Sequence, residues 1–247
     1  MILVEACVNS VTSAIEAKKG GAHRVELCDN LYEGGTTPSA ATIVMTAQSI
    51  DIDLYVLIRP RGGDFLYTDL EFEVMLNDIA YCKQNGVKGV VVGVLKANGN
   101  VDVQLTSELV KAAYPMSVTF HRAFDMVDDP YKALEDVIST GCHRILTSGL
   151  SNKAWDGREL IANLVRVAND RIVIMAGSGI NNENAEQLVK FTGVKEIHIS
   201  SRSSYPSQMK YTRKTVSMGG LPQIPEYEIS QTDSLKIRSV VQSVNGY

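Results

Sequence analysis

The sequence predicts an α/β protein, a single-domain (βα)8 TIM barrel. Three observations carry that expectation: eight short β-branched runs, eight intervening stretches of helical length, and a glycine phrase that recurs before every second run. The strand-like runs fall at 2–7, 24–28, 54–59, 89–94, 117–121, 144–148, 171–176 and 196–200. The helical stretches fall at 11–19, 39–49, 69–84, 102–113, 129–140, 157–168, 183–191 and 234–242. The phrase reads Gly21-Ala22-His23-Arg24-Val25, Gly86-Val87-Lys88-Gly89-Val90, Gly141-Cys142-His143-Arg144-Ile145 and Gly193-Val194-Lys195-Glu196-Ile197. Each glycine suits the left-handed position that ends a helix, so the chain divides into four βαβα quarters. Alternation implies a parallel sheet, and eight equal units favour closure over an open doubly wound sheet, which stays as the alternative. One domain spanning 1–247 is expected, since such barrels commonly take about 250 residues.

Composition narrows the function classes. Hydrophobic residues at 45% and charged residues at 21% describe an ordinary globular protein. The net charge is −4 and no arm gathers basic residues, which argues against a nucleic-acid partner. The N-terminus Met1-Ile2-Leu3-Val4-Glu5 meets an acidic residue too early for a signal peptide, and no apolar run reaches membrane-spanning length. A cytoplasmic protein without a membrane partner is expected. Its four cysteines, at 7, 28, 82 and 142, contain no Cys-x-x-Cys pair, so reduced thiols are the default.

Active sites of (βα)8 barrels lie where the strands end. Counting from the four glycines, the fifth position holds Glu26, Val91, Leu146 and His198, and the seventh holds Cys28, Gly93, Ser148 and Ser200. Strand alternation puts both sets on one face, and the apolar residues between them suit the helix layer, so the two sets face the barrel axis. The first strand adds Glu5 and Cys7, because Val4-Glu5-Ala6-Cys7 repeats as Val25-Glu26-Leu27-Cys28. Neighbouring strands lie about 4.8 Å apart, so the two Glu-x-Cys pairs converge unless the barrel's stagger offsets them. Glu5, Glu26 and His198 are expected on a deeper rung, with Cys7, Cys28, Gly93, Ser148 and Ser200 above and room for a ligand between the small residues.

Other strands bring further groups to the same rim: Arg59 and Arg61 after the third, His121 after the fifth. Two arginines offer a bidentate clamp for an anion, while Glu26, with Arg59 and His121, forms the candidate catalytic set. Pairing of Glu5 and Glu26 with Arg59 or Arg24 merely for charge balance is the bland alternative, disfavoured because buried ion pairs add little stability. His23 and His143 enter strands at the opposite rim and receive no role, and Cys82 and Cys142 are read as structural. Gly177 and Gly179 follow the seventh strand and Ser200 ends the eighth, the place where barrels frequently hold phosphate. Residues 201–233 are too long for a simple connection and are expected to form a functional loop, a lid or an arm that packs on another subunit. Tyr205, Arg213, Met218, the Gly219-Gly220 pair, Pro222, Pro225 and Tyr227 lie within it.

The run Glu26-Leu27-Cys28, followed by Leu31-Tyr32-Glu33-Gly34-Gly35-Thr36-Thr37-Pro38-Ser39, resembles the CutC family of copper homeostasis proteins. So do Ile58-Arg59-Pro60-Arg61-Gly62-Gly63-Asp64-Phe65, Thr119-Phe120-His121-Arg122-Ala123-Phe124-Asp125 and Leu146-Thr147-Ser148-Gly149. The resemblance spans essentially the whole chain. It implies a cytoplasmic (βα)8 barrel, a homo-oligomer, a role in copper handling, and Cys7 and Cys28 as thiols for a copper ion. Soft thiolates suit Cu(I). The residues themselves leave a second reading open, an enzyme acting on a small anionic or phosphorylated metabolite at the same barrel face.

Overall fold

In the computed structural model, residues 1–219, 221 and 224–246 are described; Gly220 and Pro222 of the long connection lie outside them. The first half runs β1 (Leu3–Val8), α1 (Val11–Lys19), β2 (Arg24–Leu27), α2 (Ala40–Ser49), β3 (Asp53–Leu57), α3 (Asp69–Gln84), β4 (Gly89–Val92) and α4 (Val103–Ala113). The second runs β5 (Ser117–Phe120), α5 (Pro130–Thr140), β6 (Arg144–Thr147), α6 (Arg158–Ala168), β7 (Val173–Gly177), α7 (Ala185–Thr192) and β8 (Glu196–Ile199). An arm of β9 (Arg202–Pro206) and β10 (Glu228–Thr232) precedes α8 (Ser234–Asn245). Strands β1 to β8 close a parallel barrel, with β1 hydrogen-bonded to β8. That pairing removes the open sheet.

Local chemistry explains where the helices begin and end. Ser10, Ser39, Asp102, Asp129 and Asp233 each accept a first-turn backbone N–H, and Thr68 forms a reciprocal capping box with Glu71. The repeated glycine does what its position requires: Gly141 closes α5 at φ 85° and Gly193 closes α7 at φ 74°.

Side-chain parity separates two cores. Val4, Ala6, Val25, Leu27, Val56, Val90, Ile145 and Ile197 point outward into the large apolar layer beneath the helices. Cys7, Cys28, Tyr55, Leu57 and Val91 form a small separate cluster inside the barrel. The lower interior is ionic. Arg24 and Arg144 both reach Glu196, at 2.6 and 3.1 Å, and both guanidinium groups lie over the Tyr55 ring. These two arginines occupy the same place in their glycine phrases, as do His23 and His143. The latter pair accept the backbone N–H groups of Val4 and Val118 through Nδ1, at 3.0 and 3.1 Å, so they fasten strand entrances in the two half-barrels.

The connection at 201–233 is an arm built on an antiparallel pair, with Arg202 opposite Thr232 and Pro206 opposite Glu228. Its base is tied to the barrel where the Thr232 N–H donates to Ser13 Oγ of α1. Tyr205, Met209, Tyr211, Met218 and Ile229 are exposed along it. Neither strand shows apolar alternation, which is why the sequence signals length there but not pairing.

Candidate metal centre

Three adjacent strands, β8, β1 and β2, bring the ionisable residues together. The register sets Glu5 opposite His198 on one side and Arg24 on the other, and Cys7 opposite Glu26. The barrel's stagger therefore slides the two Glu-x-Cys pairs past each other by two residues. Glu26 stands level with Cys7 instead of sharing the rung of Glu5, which corrects the expected tiers. The thiols still converge: Cys7 Sγ and Cys28 Sγ are 3.9 Å apart, and Cys28 Sγ lies 3.4 Å from Glu26 Oε2. His198 places Nδ1 at 2.8 Å from Glu5 Oε1 and Nε2 at 3.6 Å from Glu26 Oε2. One donor atom each from Cys7, Glu26 and His198 falls within 4.8 Å of the others.

Burial makes these groups decide each other's charge. Burial alone would raise Glu5, but Arg24 and His198 hold it down at about 2. His198 would lose its proton on burial, yet Glu26, Cys7 and Glu5 together lift it well above the ordinary imidazole value. Cys7 is held well below the usual thiol range, first by the Cys28 thiol that donates to it and then, against burial, by His198; Arg202 at the foot of the arm adds to this. Donating to Cys7, with burial and the charges of Cys7 and Glu26, pushes Cys28 well up. Glu26, desolvated and facing Cys7 and Glu5, is pushed up to about 8 despite His198. The arrangement thus favours charge on Cys7, His198 and Glu5 and disfavours it on Cys28 and Glu26. Cys82 and Cys142 are different: burial drives their thiols up to about 12 and about 11, and they behave as small apolar residues.

A cavity of about 120 Å³ opens above the cluster, with Cys7, Glu26, Cys28 and His198 on one side and Arg59, Phe65 and His121 among its other lining residues. The sequence did not single out Phe65, Leu57 or Leu31, whose apolar side chains complete the lining and carry no chemical signature in a strand or turn. Arg59 is buried, and its Nη atoms donate to the carbonyls of Glu33, Gly35 and Gly63, so it fastens the β2 and β3 loops as it lines the cavity. Arg61 is not brought to the cavity. Its guanidinium donates to Glu71, Asp64 and the Leu66 carbonyl, so the two arginines do not act as one clamp. His121 is pushed down to about 3 by burial and by Arg59, so its ring stays neutral.

The space beside Gly93 is taken up by a neighbouring side chain, and so is that beside Gly177. A Cβ on Gly93 would lie 2.3 Å from His121 Cε1, and one on Gly177 would lie 2.5 Å from Leu146 Cδ1. These glycines admit neighbouring side chains. Ser148 is held by Asp125, which also accepts from the Thr147 hydroxyl and the Leu150 N–H. Gly179 and Ser200 line a crevice between the β7 and β8 loops with Ser201, Arg202 and Lys236, and they also line a pocket that reaches Cys7, His198 and Arg122.

Residues 2–203 match the CutC family. The chain belongs to the CutC family. A copper homeostasis protein CutC homolog from Mus musculus is 47% identical over 238 residues, covering 96% of this chain and 88% of the mouse protein. A CutC family protein from Bacteroides thetaiotaomicron is 47% identical over 241 residues, 97% of each chain. A crystal structure of a copper homeostasis protein CutC from Streptococcus agalactiae superposes with a TM-score of 0.78 at 38% identity, covering 81% of this chain and 99% of that one. Phosphoribosyl anthranilate isomerase from Thermotoga maritima shares the fold alone, at a TM-score of 0.61 and 13% identity. Among the described residues, no helix of this CutC family member is long and apolar enough to cross a membrane.

Proposed function

We propose that this CutC family protein serves copper homeostasis by holding Cu(I), as cargo, through Cys7 and Cys28. The observation that carries the reading is the 3.9 Å approach of two free thiols from staggered neighbouring strands. The donor set suits a soft, low-coordinate ion, because one thiol is held well below the usual thiol range and an imidazole and a carboxyl stand within reach as further ligands. A structural zinc site wants four protein ligands, with Cys and His predominating, and fits less well. Two unbridged thiols also accord with a reducing compartment, the cytoplasm. The exposed tyrosines and methionines of the 201–233 arm accord with a homo-oligomer, which light scattering on an arm-deleted variant would test.

The deciding experiment is an anaerobic Cu(I) titration against a competing chelator. Wild type should bind stoichiometrically, and Cys7→Ser and Cys28→Ser should each weaken binding by tenfold or more. Equal affinities in all three proteins would overturn the reading.

A further inference from the structure

Cys7 and Cys28 are close enough to share an ion but out of register for sharing a bond. Their sulfurs stand 3.9 Å apart, a non-bonded contact against the ~2.05 Å of a disulfide. Both thiols are free. Whether such a pair can close depends on the backbone, and here the ladder decides: the residue opposite Cys7 on β2 is Glu26, so Cys28 lies two residues further along. With strands about 4.8 Å apart and a rise of about 3.3 Å per residue, that offset sets the two Cα atoms about 8 Å apart. Disulfides span Cα separations of about 4.4–6.8 Å, and beyond about 7 Å they require the backbone to move.

The backbone has little freedom to move. Consecutive pairs from Glu5 opposite Arg24 to Val8 opposite Leu27 hold β1 against β2, and the Cys28 N–H extends the ladder by donating to the Val8 carbonyl at 2.9 Å. A slip of one residue would turn every side chain of the strand to the other face, and a slip of two would part Glu5 from Arg24. On its other edge β1 is hydrogen-bonded to β8, where Glu5 stands opposite His198. The Cys28 side chain is confined as well. A Cβ built on Gly35 would lie 3.5 Å from Cys28 Cβ and 3.7 Å from its Sγ, so the loop backbone after β2 backs the thiol. An ion tolerates this width: at the zinc–thiolate bond length of roughly 2.3 Å, two sulfurs on one metal stand up to about 4.6 Å apart.

We infer that the two-residue stagger holds Cys7 and Cys28 as an ion-width dithiol that does not close into a disulfide within the native barrel, so the pair stays available to a soft metal in an oxidant that closes ordinary neighbouring thiols. This deepens the Cu(I) reading and rests on it only for the identity of the ion; exclusion of the disulfide follows from the register. Glutathione disulfide, as the oxidant, meets one thiol at a time. The sulfur of one cysteine attacks, a mixed disulfide forms and one glutathione leaves as its thiolate. In a pair within reach, the second cysteine then attacks the first cysteine's sulfur and expels the other glutathione, so that two thiols have given two electrons and two protons to one glutathione disulfide. The stagger stops that second step. The first remains reversible by reduced glutathione.

The test equilibrates the whole metal-free chain in glutathione buffers of rising oxidised-to-reduced ratio, traps free thiols with a maleimide and maps the cysteines by mass spectrometry. Equilibrium is approached from the reduced protein and from chain cross-linked between Cys7 and Cys28 in urea, isolated and diluted to refold, so slow access to buried thiols does not decide the outcome. Glu26→Cys combined with Cys28→Ser is the control, because it puts the second thiol directly opposite Cys7. Wild type should hold no internal disulfide, or a mixed disulfide with glutathione only, at ratios at least a hundredfold above the one that closes the control. A measurement on wild type alone covers failure of the control to fold. A cross-link that suits the fold and joins residues 21 apart should raise the urea midpoint, whereas here it should lower it. A Cys7–Cys28 disulfide in native wild type, a midpoint raised by the cross-link, or a folded control that resists closure as wild type does would each overturn the inference. The Cu(I) titration reads separately: no copper binding with the disulfide still excluded would remove the copper reading and leave the exclusion standing.

Discussion

His198 Nδ1 lies 2.8 Å from Glu5 Oε1, and this contact links the ionic lower barrel to the thiol cluster above it. Glu5 is shared: its other oxygen, Oε2, accepts from Arg24, which in turn reaches Glu196. Removing the Glu5 charge leaves Arg24 with one carboxylate and His198 without its anchor. Glu5→Gln should therefore destabilise the protein by about 3–5 kcal/mol, the usual result of breaking a buried pair from one side. Urea denaturation at pH 7 measures it, and a loss below about 1 kcal/mol would show the pair to be dispensable.

The same carboxylate sets an acid limit. Glu5 sits at about 2 in the fold against its ordinary value of 4.5, so the unfolded chain takes up its proton first as pH falls. The stability it contributes is fully present above pH 4.5 and disappears as the pH drops towards 2. Wild type should lose on the order of 3 kcal/mol across that window from this group, and Glu5→Gln should lose correspondingly less. Denaturation midpoints at several pH values compare the two slopes.

Glu26 has the opposite sign. Its pKa near 8 means that the fold keeps a proton which the unfolded chain releases at about 4.5, so this group makes stability fall as pH rises between those values. A protonated carboxyl stretch should be visible by infrared difference spectroscopy at pH 6, fade through about pH 8, and be missing in Glu26→Gln. Loss of the band near pH 4.5 instead would mean that Glu26 is solvated like a surface carboxylate.

The barrel was legible because its signals are local and repeated: a glycine before every second strand, a side-chain cap at six of the eight α-helix starts, and β-branched runs between them. Strand parity was legible too, and it put Glu5, Cys7, Glu26, Cys28 and His198 inside. Stagger was not, because the register between strands is set by closure of the whole sheet and not by any one strand's sequence; hence Glu26 beside Cys7. The roles of arginines were also hidden. Arg59 and Arg61 read alike in sequence, and only the paths of the loops decide that one lines the cavity while the other pairs with Glu71 and Asp64. The Gly93 position misled, since a missing side chain in sequence can mean a neighbour's ring in space.

Cys7 should titrate as the more acidic thiol, and Cys28 is the reason. Thiolate absorbance followed against pH in metal-free protein should show one cysteine ionising well below the ordinary thiol range, a signal that Cys7→Ser abolishes. Cys28→Ala removes the donor and should move that transition upward. His198→Gln should move it upward as well, by removing the neighbouring positive charge. A transition unchanged in both variants would mean that the barrel's other charges ionise Cys7.

Gly93 tests whether the position of His121 is structurally enforced. A methyl group there would lie 2.3 Å from Cε1 and 2.4 Å from Nδ1 of His121, with Ala123 Cβ at 3.0 Å, while Phe65 packs against the ring. Gly93→Ala should therefore cost about 1–3 kcal/mol, as overpacking a filled site does. It should also break the hydrogen bond from Ala123 N–H to Nδ1, freeing the ring to take either tautomer. The ¹⁵N shifts of His121 report this directly: in wild type Nδ1 should appear as the unprotonated nitrogen, and in Gly93→Ala the two nitrogens should move towards each other. Unchanged stability together with unchanged shifts would show that the loop after β4 yields before the ring does.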